Sequence, residues 1–243
     1  MQRWFEISRD PNSPEVMQSR RTILAASRGE NLINSRIEYL CDLVKEKSVL
    51  DVGVVEHTSQ AMNSPNWLHK HLYNSAKTCL GVDILDEEIK NLQSLGFNVI
   101  HADITKQPLD QKFDVIICGE VLEHLDIPAY LLKNAVQMLM PGGRLVLSVP
   151  NPWYVNVIIK NIFNGAPYVD NADHVAWFDP CTLCELGLRH GLILERFAGI
   201  AVKNTSSFRT KVFFSITPLL IRLGLQAELF AKTMIYEFVS ASK

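Results

Sequence analysis

From residue 47 onward, short β-branched apolar runs take turns with longer amphipathic stretches, and this alternation constrains the fold more than any other feature of the chain. Ser48–Gly53, Thr78–Ile84, Asn98–Ile104, Phe113–Gly119 and Arg144–Val149 are each brief and rich in Val, Ile and Leu, the composition of strands buried on both faces. Between them lie helical patterns. One runs on from Gly53 to about residue 76; another spans Glu87–Leu95 and closes at Gly96. A third opens at Asp126 and Pro128 and continues through Leu132, Ala135 and Leu139 to Pro141-Gly142-Gly143, with ends of the kind that start and stop helices. Ahead of the first strand, Ile33, Ile37, Leu40 and Val44 recur at helical spacing. A later helix is capped by Asp179, has Pro180 at its first position and ends at Gly191; strand-like Leu192–Val202 and Leu229–Val239 follow, the last expected to pair antiparallel. The prediction is an α/β fold with a mostly parallel sheet of about seven strands, helices on both faces and an antiparallel last strand.

The chain has 243 residues, 47% of them hydrophobic, enough for one sizeable core. Residues 1–30, with Pro11, Pro14 and several Arg and Ser, read as a loosely structured N-terminal arm holding one helix around 15–27, and 31–243 as a single domain. With 24 basic and 26 acidic residues, a net charge of -2 and no run of five or more like charges, nucleic acid is not an expected partner. The five cysteines are odd in number and scattered, which points to free thiols in a reducing, cytoplasmic setting, and Cys181-Thr182-Leu183-Cys184 is a lone pair inside a helix. The start of the chain lacks the apolar stretch of a signal peptide. Val212–Leu225, broken by Pro218 and Arg222, is shorter than the roughly 20 apolar residues that span a bilayer. A packing helix, a lid, a dimer contact and a peripheral membrane helix all remain open for it.

In an open parallel sheet, ligands bind beyond the carboxyl ends of the strands, and four of those ends carry an acid. Asp51 lies just before Gly53, Asp83 ends the second strand, Asp103 nearly ends the third and Glu120 follows the fourth. A carboxylate accepts two hydrogen bonds from vicinal ribose hydroxyls, and another accepts one from an adenine amine; Asp83 and Asp103 suit those two tasks. Any one of these acids alone also reads as a helix cap. The first loop, Asp51-Val52-Gly53-Val54-Val55-Glu56-His57-Thr58, lacks the glycines of a nicotinamide dinucleotide site, because Val55 and Thr58 stand where they are required. The spacing from Asp51 to Asp83 also exceeds the roughly 20 residues of such a unit, with the extra length around Pro65, Trp67 and His69. His57, His69 and His71 have no carboxylate or cysteine at ligand spacing, so no metal site is expected.

Val-Leu-Asp-Val-Gly, Gly-Val-Asp-Ile, Ala-Asp-Ile, Phe-Asp-Val-Ile-Ile-Cys-Gly-Glu-Val-Leu-Glu-His-Leu and Pro-Gly-Gly-Arg-Leu-Val-Leu-Ser-Val-Pro-Asn, in that order over roughly residues 47–200, resemble the successive motifs of class I S-adenosylmethionine (SAM)-dependent methyltransferases with a Rossmann-like fold. The resemblance implies SAM as cofactor. It places the methionine part at Asp51, Gly53 and His57, the ribose at Asp83 and Ile84, adenine between Asp103 and Ile104, and Glu120 where the fourth-strand loop meets the cofactor. The family's first loop reads Asp-x-Gly-x-Gly-x-Gly; here Val55 and His57 replace the later glycines, against the close backbone approach that glycine permits.

Methyl transfer is an in-line displacement that needs positioning, and a hydroxyl acceptor also needs a base, for which histidine is suited. His124 and His174 are the candidates, each with a purely structural alternative. His-Val-x-x-Phe at His174–Phe178, followed by Thr182-Leu183 and Gly191-Leu192, is similar to the stretch after the fifth strand in bacterial small-molecule and glycan methyltransferases. Residues 151–178 form an insertion on the acceptor side, and their Trp153, Tyr154, Phe163, Tyr168, Trp177 and Phe178 suit sugar rings or planar quinone heads. The expected reaction is methylation of a hydroxyl on a sugar or glycan precursor. A non-catalytic SAM- or nucleotide-binding domain and an interaction scaffold using 212–225 are the alternatives.

Overall fold

The computed structural model describes residues 3–29, 32–56, 59–165, 167–201 and 216–241. Seven strands form one sheet: β1 (Ser48–Val52), β2 (Thr78–Asp83), β3 (Val99–His101), β4 (Phe113–Gly119), β5 (Leu139–Pro150), β6 (Leu192–Ala201) and β7 (Ala231–Ser240). Their order is β3-β2-β1-β4-β5-β7-β6. The first five are parallel, and β7 lies antiparallel between β5 and β6. The expected architecture, including the antiparallel last strand, is therefore present. The order reverses at β1, which pairs with β2 on one side and β4 on the other, and this opens a crevice at its carboxyl end.

Side chains that alternate along β1, β4 and β5 feed two cores on opposite faces. Leu50, Ile116, Cys118, Leu145 and Leu147 join the larger core. It is covered by α6 (Pro128–Met138), α8 (Pro180–Arg189) and Ile23 of α2 (Pro14–Ser27). Val49, Val115, Ile117 and Val146 face the other way, under Leu40 of α3 (Arg36–Leu43) and Leu68 and Leu72 of α4 (Leu68–Ser75). A third, smaller cluster packs Val54, Val55 and Trp67 against Ile89 and Leu92 of α5 (Asp86–Ser94) and Val99.

Three expectations change in detail. The stretch from Gly53 to 76 is not one helix: a short 3-10 turn at Ser59–Asn63 gives way to loop, and α4 starts only at Leu68, after Pro65 has interrupted the helical backbone. β5 starts at Leu139, so Pro141-Gly142-Gly143 lies within the strand, where its pairing with β4 shifts register. The N-terminal stretch carries two helices, α1 (Trp4–Ile7) and α2. Ser13 caps α2, accepting from the Val16 N–H, and Pro14 takes its first position. Its buried stripe is Val16, Arg20, Ile23 and Ser27, a helical period masked by its two polar members.

That stripe fastens the segment to the body. Arg20 pairs with Glu185 at 2.9 Å, the Ser27 hydroxyl donates to the Leu194 carbonyl at 2.9 Å, and Gly29 and Ile33 donate backbone bonds to Phe197 and Gly199 of β6. The segment thus covers the edge strand, an exposed template for pairing in other settings. The five cysteines are free. Among the described residues no helix is long and apolar enough to cross a membrane. Of 212–225, residues 212–215 lie outside the described residues; 216–222 are helical and expose Ile216 and Leu219.

Ser27→Ala removes the donor to Leu194 and leaves a buried carbonyl short of a partner. The expected cost is about 1 kcal/mol, read in a thermal melt as a Tm lower by about 2–4 °C.

Candidate active site

The crevice at the carboxyl ends of the strands is a cleft of about 920 Å³, within the size range of small-molecule sites. Gly53, Asp83, Ile84, Asp103, Ile104 and Glu120 line one part of it, and His124 and His174 line another. Gly53 has φ 80, and a Cβ there would meet Val121 Cγ2 at 2.5 Å, so glycine is required both by conformation and by space.

The two strand-end aspartates are held firmly. Asp83 Oδ2 accepts from the Val55 N–H at 3.0 Å and its Oδ1 from the Leu85 N–H at 3.1 Å. Asp103 Oδ1 accepts from the Thr105 N–H and hydroxyl, and Oδ2 pairs with Lys106 at 2.9 Å. Burial pushes the Asp103 carboxyl up, but the bonds from Thr105 and Lys106 outweigh it and hold the group below the usual carboxylate range. Both acids therefore make cap-like local bonds and also face the cleft.

Glu120 has a left-handed backbone, φ 57, a conformation that costs a non-glycine residue energy and is found at functional sites. Its carboxylate lies 3.6 Å from the Arg36 guanidinium, which donates to the Ser148 hydroxyl at 3.4 Å. Burial pushes the Glu120 carboxyl up against the pull of Arg36 and Lys232. Asp51 is not on the cleft wall. It is 3% exposed, accepts from His69 Nδ1 at 2.9 Å, and borders a pocket of about 20 Å³ beneath Gly53 and Gly119. His57 lies outside the described residues.

The second part of the cleft is assembled from two distant segments. The Glu123 carbonyl, in the turn after β4, accepts from the N–H groups of Val175 (2.9 Å) and Ala176 (3.3 Å). That bridge brings the His124 and His174 rings to 4.8 Å between centroids. His124 Nδ1 donates to Asp173 Oδ2 at 2.7 Å, which fixes the neutral tautomer with its lone pair on Nε2. Burial, and then the neighbouring His124, hold the His174 pKa below the usual histidine value. Glu123 is 1% exposed, and neither carboxylate oxygen has a hydrogen-bond partner among the described residues; burial pushes its pKa up to about 8. Glu123, His124 and His174 each place one donor atom within 4.8 Å of the others, a grouping that could hold a divalent cation and that no ligand spacing in the sequence announces.

From residues 151–178, the cleft receives Asn171, Asp173 and His174. The six aromatic residues of that stretch do not line it: Tyr154 and Phe178 are buried, whereas Trp153, Phe163 and Trp177 are exposed. Arg36, Glu123 and Asp173 are site residues that the sequence pattern did not single out. Arg36 reads there as the polar face of a helix, and Asp173 and Glu123 gain meaning only from the fold.

The chain matches the profile of a methyltransferase domain over residues 25–195, and it belongs to that family. It is a SAM-dependent methyltransferase, which sets aside the readings as a non-catalytic binding domain or a scaffold. Among curated relatives it is 31% identical over 186 residues to the ubiquinone biosynthesis O-methyltransferase of Coxiella burnetii, covering 70% of this chain and 75% of that one. It is 26% identical over 175 residues to the enzyme of the same name from Hydrogenovibrio crunogenus, covering 68% and 70%. Among solved structures it shares its fold with the magnesium protoporphyrin IX methyltransferase of Synechocystis with bound S-adenosylhomocysteine (SAH), at a TM-score of 0.56, 15% identity and coverage of 97% and 99%. The residues present fit the cofactor: the cleft has the volume, Gly53 leaves room, carboxylates stand at two strand ends, and Arg36 offers a cation.

Because the Glu123 carboxyl titrates near 8 when folded and near its ordinary 4.5 when unfolded, its contribution to stability is intact below 4.5 and declines as pH rises toward 8. Glu123→Gln removes that loss. Its Tm is expected to match wild type at about pH 4 and to exceed it by several degrees at about pH 9, measured by calorimetric melts across pH.

Proposed function

We propose that the chain methylates a hydroxyl group of a small acceptor, with His124 as the general base. The observation that carries this reading is the His124–Asp173 pair at 2.7 Å, opening onto the same cleft as Asp83, Asp103 and Glu120. When bound, SAM supplies an electrophilic methyl group on its sulfonium. Asp83, beside Ile84, holds the ribose hydroxyls; Asp103 and Ile104 bracket adenine; Gly53, Asp51 and Arg36 hold the methionine end, with Arg36 toward its carboxylate. Glu120 closes the site where the β4 loop meets the cofactor. His124 Nε2 takes the proton of the acceptor hydroxyl, and the Asp173 carboxylate stabilises the imidazolium that results. His174, kept neutral by its lowered pKa, orients the acceptor beside it.

A phenolic hydroxyl is the leading acceptor, because the curated relatives are ubiquinone biosynthesis O-methyltransferases. The exposed Ile216, Leu219, Leu223 and Leu225 favour an acceptor with an apolar tail and the peripheral membrane contact expected of 212–225. A sugar hydroxyl on a glycan precursor is the second reading, favoured by the polar lining from Asn171, Asp173, His174 and Thr233.

A turnover assay with SAM should set catechols and polyprenylated phenols beside nucleotide sugars and lipid-linked glycans. Methylation of the phenols, with kcat lowered about 100-fold or more in His124→Ala and also reduced in His174→Ala, is the expected result. Turnover of the sugars alone transfers the proposal to the second reading, and full activity of His124→Ala removes the base.

A further inference from the structure

The first loop of this chain has lost the glycines that usually let a backbone lie close to the cofactor, and two side chains from the start of α4 grip it instead. Trp67 Nε1 donates to the Val54 carbonyl at 2.8 Å. Two residues on, His69 Nδ1 donates to Asp51 Oδ2 at 2.9 Å. The side chains of Val54 and of Val55, the latter standing where the glycine loop has none, are buried against Trp67, Ile89, Leu92 and Val99. Between these anchors the Val55 N–H is committed to Asp83 Oδ2 and the Gly53 N–H to the Val82 carbonyl. The loop is thus fixed from the protein side at every step from residue 51 to 55.

The fit around His69 is made to measure. Gly81 pairs with Asp51 across β1 and β2, and a Cβ on Gly81 would meet His69 Cε1 at 2.7 Å. The Trp67, Phe97 and Tyr73 rings surround the imidazole at centroid distances of 5.4, 5.9 and 6.2 Å. The residue is 1% exposed, yet its Nε2 has no hydrogen-bond partner among the described residues. An unpaired buried nitrogen is a cost that an apolar residue of similar size would remove. A chain shaped only for stability would not keep it, so the reason for keeping it lies in what it does to Asp51.

We propose that His69 is a positioning residue for cofactor binding: it holds the Asp51 carboxylate at the end of β1, beside the small pocket that Arg36, Gly53 and Gly119 also border, while Trp67 holds the loop that follows. The inference rests on the reading that Asp51 serves the methionine end of the cofactor.

The test is calorimetric titration with SAH, with Tm recorded in parallel, on wild type, Asp51→Ala, His69→Leu, the double variant and His69→Asn, whose amide can donate from about the place of Nδ1. The expected result is a Kd raised about tenfold or more in His69→Leu, the scale of one hydrogen bond to a charged group. His69→Asn should recover most of that loss, and the double variant should bind no worse than Asp51→Ala. His69→Phe, which keeps a ring of similar size but has no donor for Asp51, should weaken SAH in the same way and stands in if His69→Leu does not fold. Wild-type affinity in folded His69→Leu, with Asp51→Ala weakened, overturns the role of His69 and leaves that of Asp51 standing. Wild-type affinity in Asp51→Ala overturns the Asp51 reading and the inference with it.

Discussion

The structure depends on β1 lying between β2 and β4 in parallel register. Asp51 pairs with Gly81 on one side and Ile117 on the other, so the carboxyl ends of β1, β2 and β4 come level with one another. That alignment gathers Gly53, Asp83, Asp103 and Glu120 around one cleft although they span some seventy residues of chain. It is maintained by side chains that alternate into two cores, one beneath α6 and α8 and the other beneath α3 and α4. A register slip by one residue would send Leu50 and Val49 to the wrong faces and tilt the acids out of the site.

Much of this was legible in the sequence, and the reason is physical. Buried parallel strands are apolar and β-branched, so the five parallel strands stand out in the sequence. An acid at a parallel strand's carboxyl end can be placed on the ligand side without knowledge of any contact, and Asp83, Asp103 and Glu120 do line the cleft. Asp51, inside the strand rather than at its tip, lines the small pocket shared with Gly53 and Gly119 rather than the cleft itself. The α2 stripe escaped because Arg20 and Ser27 interrupt its apolar pattern, and their partners, Glu185 and Leu194, are more than 160 residues away. The 53–76 stretch reads as one helix in the sequence, whereas a 3-10 turn at Ser59–Asn63 and α4 from Leu68 divide it around Pro65.

The second half of the site is tertiary in origin. His124 and His174 read as separate candidates in the sequence; the Glu123 carbonyl, bonded to Val175 and Ala176, and the His124–Asp173 bond make them neighbours. Asp173 and Glu123 acquire their character from the same arrangement, one by orienting His124, the other by being sealed from water. The aromatic residues of 151–178 suggested a stacking wall; the fold uses two as anchors and leaves three exposed, and it is polar Asn171, Asp173 and His174 that reach the cleft.

In the proposed arrangement SAM occupies the cleft at the strand ends, with the first loop held in place for it. Hydrogen–deuterium exchange of the wild-type protein with and without SAH reads that placement. Protection on binding that is confined to the ends of β1, β2 and β4, the segment after β3 and the start of α3 is the predicted result. Protection on the opposite edge of the sheet, or no change at Gly53–Glu56 and Asp83–Leu85, would place SAM elsewhere.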